Sequence, residues 1–152
     1  MYNRRMAKTI TLCASAAFYE HLNKVADDLA EMGYTVLVPV SASEMRKTGE
    51  YDVDKYKTWY DNKEDFHHKT NFLDRHIKEV EKADAILVIN DQKKDIDGYI
   101  GFNVMIEMAV AYYLKKPIFV LNPVTDENAA YEEVVGMNCR VISGDLKQIT
   151  FS

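Results

Sequence analysis

Blocks of apolar residues alternate with amphipathic blocks along the chain, and together they predict strands and helices in turn. Short runs rich in β-branched and apolar residues predict strands at 9–13, 34–40, 85–90, 118–121 and 140–142. Longer segments between them predict helices at 18–32, 63–82, 99–114 and 128–135, and a final turn is expected at 146–149. Gly33 follows the first of these helices, as a C-terminal glycine often does.

This alternation predicts an α/β fold. We expect a doubly wound parallel sheet of four to five strands, flavodoxin-like or Rossmann-like, in the order 2-1-3-4-5 with right-handed crossovers. The near-continuous apolar character of 34–40 is typical of a parallel strand covered on both faces. A chain of 152 residues can bury a real core, and we expect one domain spanning 1–152.

The expected topology also predicts where a ligand binds. In such sheets the site lies beyond the carboxyl ends of the strands, at the switch point between the first and third strands. This rule brings together the loops that begin near Ala14, Ser41, Asp91 and Asn122. Asp91 and Asn122 directly follow predicted strands and are therefore candidate substrate-binding residues. The sequence contains no GxGxxG, Walker or GxSxG motif, which argues against a standard dinucleotide fold, a P-loop NTPase and a serine hydrolase.

The predicted helix at 99–114 carries the most unusual candidate for chemistry. It is apolar on every side, which is typical of a buried helix, and Glu107 is the single acid in its middle. Burying a carboxylate is costly and raises its pKa by roughly 3–5 units unless a partner compensates. Glu107 therefore either faces a cavity or is a structural acid held by hydrogen bonds. Gly101 and Asn103 lie at the helix start, where free N–H groups favour anions.

Two further features allow alternative interpretations. The connection at 41–62 is long and polar and contains four large aromatic residues, Tyr51, Tyr56, Trp59 and Tyr60. These rings could form a lid over a flat ligand, or they could pack the excursion onto the core or onto another subunit. His76 lies at the margin of the apolar stripe of the 63–82 helix, where an edge histidine with satisfied hydrogen bonds is the simplest interpretation.

Composition excludes several classes of function. The formal net charge of -5 argues against a nucleic acid polymer as partner, because such proteins usually show a basic patch. We expect no signal peptide, since the start MYNRRMAK runs straight into a short strand. We expect no membrane span, since the apolar run at 99–114 is too short and contains Asn103 and Glu107. Cys13 and Cys139 have no CxxC spacing and indicate a reducing cytoplasm. His67 and His68 have no Cys or acid at metal-like spacing around them, so no metal site is predicted, and no cofactor is expected.

Three stretches together resemble a known family. They are TLCASAAFYE after the first strand, KADAILVIN at the third, and GFNVMIEMAVAYYLKKPIFVL, with a small-residue loop, a Glu, a helix rich in Ala and Tyr, and a Lys-Pro. The chain from Thr9 to Asn122 resembles the nucleoside 2-deoxyribosyltransferase-like superfamily, which includes 2'-deoxynucleoside 5'-phosphate N-hydrolases. The resemblance implies a small-molecule nucleoside or nucleotide as partner, and a homo-oligomer in which a neighbouring subunit completes the site.

The resemblance also implies roles for individual residues. Glu107 stands where the family has its nucleophile, which attacks the anomeric carbon of a deoxyribosyl group as the base departs. This is the two-step logic of a retaining glycosidase. Tyr19 stands where the family often has residues near the sugar. Ser15 and the helix start at Gly101 and Asn103 would hold a hydroxyl group or a 5'-phosphate.

Two positions depart from the family pattern. Gly101 stands where the family usually offers Asp or Ser to the sugar, and His76 stands where the hydrolase branch has an acid, which makes His76 a candidate acid or base. Three hypotheses follow. The first is an N-glycosidic bond enzyme, either a hydrolase or a deoxyribosyltransferase. The second is a non-catalytic nucleotide-binding or sensing domain. The third is an NAD-type hydrolase of a related fold that uses one glutamate.

Overall fold

The computed structural model describes residues 6–151 and contains a five-stranded parallel sheet in the order β2-β1-β3-β4-β5. This order confirms the predicted topology. The strands are β1 Thr9–Ala14, β2 Thr35–Leu37, β3 Ala85–Ile89, β4 Ile118–Val120 and β5 Arg140–Val141. The helices are α1 Tyr19–Glu31, α2 Val40–Thr48, α3 Phe66–Lys82, α4 Phe102–Tyr113 and α5 Tyr131–Gly136. Among residues 6–151, no helix has the length and apolar character needed to cross a membrane.

The centre of the sheet is the pairing of β1 with β3, which runs from Ile10 opposite Ala85 to Ala14 opposite Ile89. Alternate residues of these strands face opposite layers, as strand geometry requires. One layer packs around Leu12, Leu87 and the inner face of α1, and the other around Ile86, Val88 and the inner face of α4. Because both faces are covered by helices, β3 is apolar throughout, as the sequence pattern indicated.

The region after β2 differs from the prediction of a strand to residue 40 followed by a long loop. Strand β2 ends at Leu37, and α2 begins at Val40 with Pro39 in the N-cap position. Proline cannot donate to a strand ladder but is tolerated at a helix start, so Pro39 separates the two elements. Gly49 ends α2 in the left-handed conformation, and three short 3-10 turns follow at 53–55, 58–60 and 63–65. The predicted connection at 41–62 is therefore mostly ordered secondary structure.

The prediction that the 99–114 helix is buried on every side is wrong. Glu107 and Met108 face inward on α4, but Phe102 is 92% exposed and Tyr113 is 83% exposed. Ile106 lies on the same outer surface and is also exposed. An apolar pattern on all sides of a helix predicts that every face is shielded from water. The pattern does not show whether the shielding residues belong to the same chain or to another chain. This outer face is typical of an interaction surface.

Gly98, in the loop between β3 and α4, occupies a position that only glycine fits. Its φ is +65°, and a Cβ atom there would lie 2.5 Å from the carbonyl oxygen of Pro123 and 3.1 Å from Asn90 Nδ2. Asn128 fixes the same turn, because its side-chain amide donates to the carbonyl oxygen of Gly98 at 3.0 Å. The close approach holds the loop that leads to the start of α4.

We expect Gly98→Ala to lower the free energy of unfolding by about 2–4 kcal/mol, because it combines a left-handed backbone with a backbone clash. Gly144→Ala is the matched control: its φ is +78°, but nothing lies within 4 Å of the added Cβ. That variant should lose only about 1–2 kcal/mol, the cost of the left-handed conformation. Chemical denaturation measures both values, and equal losses would mean that the Pro123 contact relaxes without cost.

Candidate active site

A cavity of about 440 Å³ opens at the carboxyl ends of β1 and β3. Its wall is built from the turn after β1, the start of α2, the 3-10 turns that follow α2, one face of α3, the loop after β3 and the first turns of α4. The position agrees with the switch-point rule for open parallel sheets. The volume is in the range of pockets that bind small molecules.

Six of the eight residues predicted for the site line this cavity. Ser15 and Tyr19 reach it from the turn after β1, where the small residues Ala16 and Ala17 form a 3-10 turn close to the opening. Gly101 and Asn103 line it at the start of α4, which has no side-chain cap, so its first N–H groups are available to a ligand. The predicted catalytic pair also lines it, and consists of His76 and Glu107.

Asp91 and Asn122 do not line the cavity. The Asn122 amide N–H donates to Asn90 Oδ1 at 2.8 Å, and Asn90 Nδ2 donates to the carbonyl oxygen of Asn122 at 2.9 Å. Asp91 Oδ2 lies 2.7 Å from His21 Nδ1, and Asp91 Oδ1 accepts from Asn122 Nδ2 at 3.3 Å. These contacts tie together the ends of β3 and β4, which positions the loop that borders the cavity.

Glu107 and His76 meet at the floor of the cavity, each with only 7% of its surface exposed. His76 Nδ1 lies 3.6 Å from Glu107 Oε1, and His76 Nε2 lies 3.7 Å from Cys13 Sγ. Glu107 Oε2 is buried and has no hydrogen-bond partner among the described residues. The two side chains meet because α3 and α4 pack together, with His76 buried on α3 and Glu107 buried on α4.

Burial controls the ionisation of this pair. It raises the pKa of Glu107 to about 8, although the neighbouring Cys13 thiol and the charge of Lys69 oppose the rise. Burial also lowers the pKa of His76 to about 4. At neutral pH the contact therefore joins a neutral imidazole to a neutral carboxylic acid, because removal from water outweighs the attraction that an ion pair would gain. The two side chains together hold one titratable proton, which lies on Glu107 at neutral pH.

Among residues 6–151, the group of side chains that most resembles a metal site consists of this pair and Cys13. One ligand atom each from Cys13, His76 and Glu107 lies within 4.8 Å of the others. Burial, reinforced by the neighbouring Glu107, raises the pKa of the Cys13 thiol well above its usual value. Metal binding requires a thiolate and a carboxylate. A cation bound here would therefore have to displace the protons that burial keeps on the Cys13 thiol and the Glu107 carboxyl group.

Sequence reasoning missed the basic residues of the cavity. Four lysines line it, and they come from three separate segments: Lys57, Lys69, Lys93 and Lys94. Arg75 also lines it. In the sequence Lys93 and Lys94 belong to an ordinary polar loop, DQKKDIDG, and nothing in the spacing connects them to Lys57 or Lys69. Only the fold brings them to one cavity.

The aromatic residues of the 41–62 region take different roles. Tyr56, Trp59 and Tyr60 line the cavity. Trp59 is buried, and its ring centroid lies 6.3 Å from that of Phe72 on α3. Tyr51 lies elsewhere, and its hydroxyl accepts a hydrogen bond from Asn23 at 3.3 Å. The excursion thus packs onto the core through Trp59 and also supplies part of the cavity wall.

Comparison with known proteins gives a distant likeness to solved structures. The chain matches no protein-family model, and no curated protein matches it. It is similar to a solved structure of 2-deoxyribosyltransferase from the psychrotolerant bacterium Bacillus psychrosaccharolyticus, with 20% sequence identity and a TM-score of 0.49. The match covers 78% of this chain and 74% of that chain. A likeness of this size carries no argument about activity.

Proposed function

We propose that the protein cleaves the N-glycosidic bond of a nucleoside or nucleotide, by hydrolysis or by transfer of the sugar to a second base, with Glu107 as nucleophile. The observation that carries the proposal is a buried carboxyl group on the floor of a ligand-sized cavity, with one oxygen unpartnered and a histidine 3.6 Å from the other. A carboxylate in this position is the group that an oxocarbenium-like transition state requires.

The first step begins within the Glu107–His76 pair. Transfer of the proton from Glu107 Oε1 to His76 Nδ1, now 3.6 Å apart, produces a carboxylate and an imidazolium. The carboxylate attacks the anomeric carbon as the N-glycosidic bond breaks. The electron pair of that bond leaves on the base nitrogen, which takes a proton from the imidazolium, the general acid. A glycosyl ester of Glu107 and a free base result.

The second step reverses these roles. Water, or the nitrogen of a second base, attacks the anomeric carbon, and Glu107 departs as a carboxylate. Neutral His76 accepts the proton that the attacking group loses. Ser15, Tyr19 and Asn103 are the candidate contacts to the sugar. Burial raises the pKa of Tyr19, so its hydroxyl stays protonated and can donate a hydrogen bond.

A second candidate function is nucleotide binding without chemistry. Gly101 favours it, because glycine offers no side chain to the sugar at this position. Steric crowding does not explain why this residue is glycine, since a Cβ at Gly101 would lie 3.5 Å from the Tyr99 ring, an ordinary contact. The deciding experiment incubates the protein with nucleosides, deoxynucleosides and their 5'-phosphates and follows free base by chromatography. Release of base supports the enzyme, whereas ligand binding without release from any compound supports the binding domain.

The outer face of α4 supports a homo-oligomer. We define the α4 outer face as Phe102, Ile106 and Tyr113, all exposed apolar side chains on one helix. Phe102 also lines the cavity. A second copy seated on this face would cover Phe102 and narrow the opening of the site. The free cysteines Cys13 and Cys139 fit a reducing cytoplasm as the location of the assembly.

We expect the purified protein to be at least a dimer by light scattering, and the Phe102→Ser/Tyr113→Ser variant to be monomeric. Removing two exposed rings deletes apolar area that only association buries. Val135→Ser is the control, because Val135 is an exposed apolar residue on α5, away from the α4 outer face. A monomeric wild type, or loss of association in the control as well, would contradict this assignment.

A further inference from the structure

The lysine cluster, defined as Lys57, Lys69, Lys93 and Lys94, is a concentration of positive charge without acidic partners. None of these four side chains lies within 4.0 Å of a carboxylate among residues 6–151. Other lysines of the chain do pair with acids, for example Lys24 with Asp28 at 3.2 Å. Four like charges that line one cavity, none of them in a salt bridge within the described residues, create a positive potential there, which attracts anions.

The members of the cluster act on one another, so they surround a common volume. Burial and then the charge of Lys57 lower the pKa of Lys69. Burial, followed by Lys57 and Lys94, lowers the pKa of Lys93. Two of the ammonium groups have fixed surroundings. Lys93 Nζ donates to Ser15 Oγ at 3.1 Å and lies 5.0 Å from the Tyr99 ring centroid, and Lys69 Nζ lies 5.8 Å from the Trp59 ring centroid.

The position of the cluster fits an anion attached to the sugar of the substrate. Lys69 precedes His76 by seven residues on α3, which is two helical turns or about 10 Å along the axis. The reacting carbon would lie beside His76 and Glu107, and the anion beside Lys69. The sugar ring then occupies the space between them.

The amount of charge indicates more than one phosphate group. With Arg75, five basic side chains line the cavity, against the two acids Glu79 and Glu107. A single phosphate carries about -1.5 to -2 charges at pH 7, which leaves part of this excess unmatched. The terminal diphosphate of a nucleoside 5'-diphosphate carries roughly -3 and comes closer to neutralising it, whereas the pyrophosphate bridge of a dinucleotide carries about -2 but spreads that charge over two phosphate groups.

We propose that the lysine cluster binds the pyrophosphate group of a nucleotide, so that the substrate is a nucleoside 5'-diphosphate or a dinucleotide bridged by pyrophosphate. Cleavage of its glycosidic bond rests on the function proposed above, whereas binding of the pyrophosphate does not. The ammonium groups donate charge-assisted hydrogen bonds to the phosphate oxygens. Ser15, already hydrogen-bonded to Lys93, lies where it can join them.

Calorimetric titration with inorganic pyrophosphate and inorganic phosphate tests the binding step alone, because neither compound has a glycosidic bond. We expect pyrophosphate to bind at least about tenfold more tightly than phosphate, and Lys57→Gln/Lys69→Gln to weaken it at least about tenfold. Lys78→Gln/Lys147→Gln is the control of equal charge change, with both lysines exposed and outside the cavity lining. Equal affinities for the two anions, or equal weakening in the control, would overturn the proposal.

The two sources of pyrophosphate are then distinguished on the Glu107→Gln variant, which is expected to turn substrate over at least about 10³-fold more slowly. Tighter binding of nucleoside 5'-diphosphates than of 5'-monophosphates assigns the first source, and tighter binding of a pyrophosphate-bridged dinucleotide assigns the second. If neither binds more tightly than a monophosphate, the inference is wrong even where base release occurs. If pyrophosphate binds as expected but no nucleotide releases base, the inference stands and the glycosidic function fails.

Discussion

Replacing Glu107 with Gln is expected to lower the rate of base release by about 10³-fold or more. The amide keeps the size of the side chain but cannot form the glycosyl ester, and loss of a nucleophile commonly costs at least this much. Because the wild-type carboxyl group is already neutral at pH 7, the Gln variant should fold normally. The measurement is free base released per enzyme, together with a denaturation curve to confirm folding.

Glu79→Gln is the matched control for this result. Glu79 also lines the cavity, lies on α3, and has a buried oxygen without a hydrogen-bond partner among the described residues. Among residues 6–151, no hydrogen bond joins its side chain to His76 or Glu107. We expect less than about a tenfold change in rate. Strong loss in the Glu79 variant with normal rates in the Glu107 variant would identify a different nucleophile.

The dependence of rate on pH should show the shared proton of the pair. With a pKa of about 4 for His76 and about 8 for Glu107, the pair holds one proton between these values. The reactive form, carboxylate with imidazolium, also holds one proton. The wild-type rate is therefore expected to be high across this range and to fall below about pH 4 and above about pH 8.

In the His76→Gln variant the rate should rise with pH at the alkaline end of the profile, where the wild-type rate falls. Without His76, Glu107 becomes a nucleophile only when it loses its proton to solvent, so the low remaining rate should rise with pH through about 8. The charged groups that face Glu107 are Lys69 and Glu79 on α3, with Cys13 on β1, and they remain in this variant. If the rate fell at alkaline pH in both proteins, the proton that controls the rate would not be the one shared by Glu107 and His76.

Stability gives an independent measure of the same proton. Between about pH 6.5 and 8 the folded pair keeps its proton, whereas in the unfolded chain both groups have lost it, given ordinary pKa values of 4.5 and 6.5. The free energy of unfolding should therefore fall as pH rises in this window, by up to about 1.4 kcal/mol per pH unit. Glu107→Gln should remove this slope.

The parts of the structure that depend on local pattern could be predicted from the sequence. The apolar runs at 85–90 and 118–121 indicated the buried strands, and the isolated acid Glu107 indicated either a cavity or a structural acid held by hydrogen bonds. Helix α2 was missed because YTVLVPV continues the apolar pattern of a strand past its end at Leu37. The lysine cluster was missed for a different reason: its members are distant in sequence and individually resemble any solvated lysine.

The family resemblance directed attention to His76, but the pairing of His76 with Glu107 came only from the structure. Sequence spacing places His76 at the edge of the apolar stripe of α3, and it gives no information on which helix packs against that edge. The packing of α3 against α4 is a property of the tertiary structure. It converts an edge histidine into a buried one, and this burial is the cause of its low pKa.

The buried position of Trp59 in the wall of the cavity has a consequence for measuring ligand binding. Trp59 is the single tryptophan of the chain, and it lines the cavity with Lys69 above its ring. Its intrinsic fluorescence therefore originates at the site alone. A nucleotide that draws the Lys69 ammonium away from the indole, or stacks near it, will alter the emission. Ligand entry can thus be followed in real time without a label.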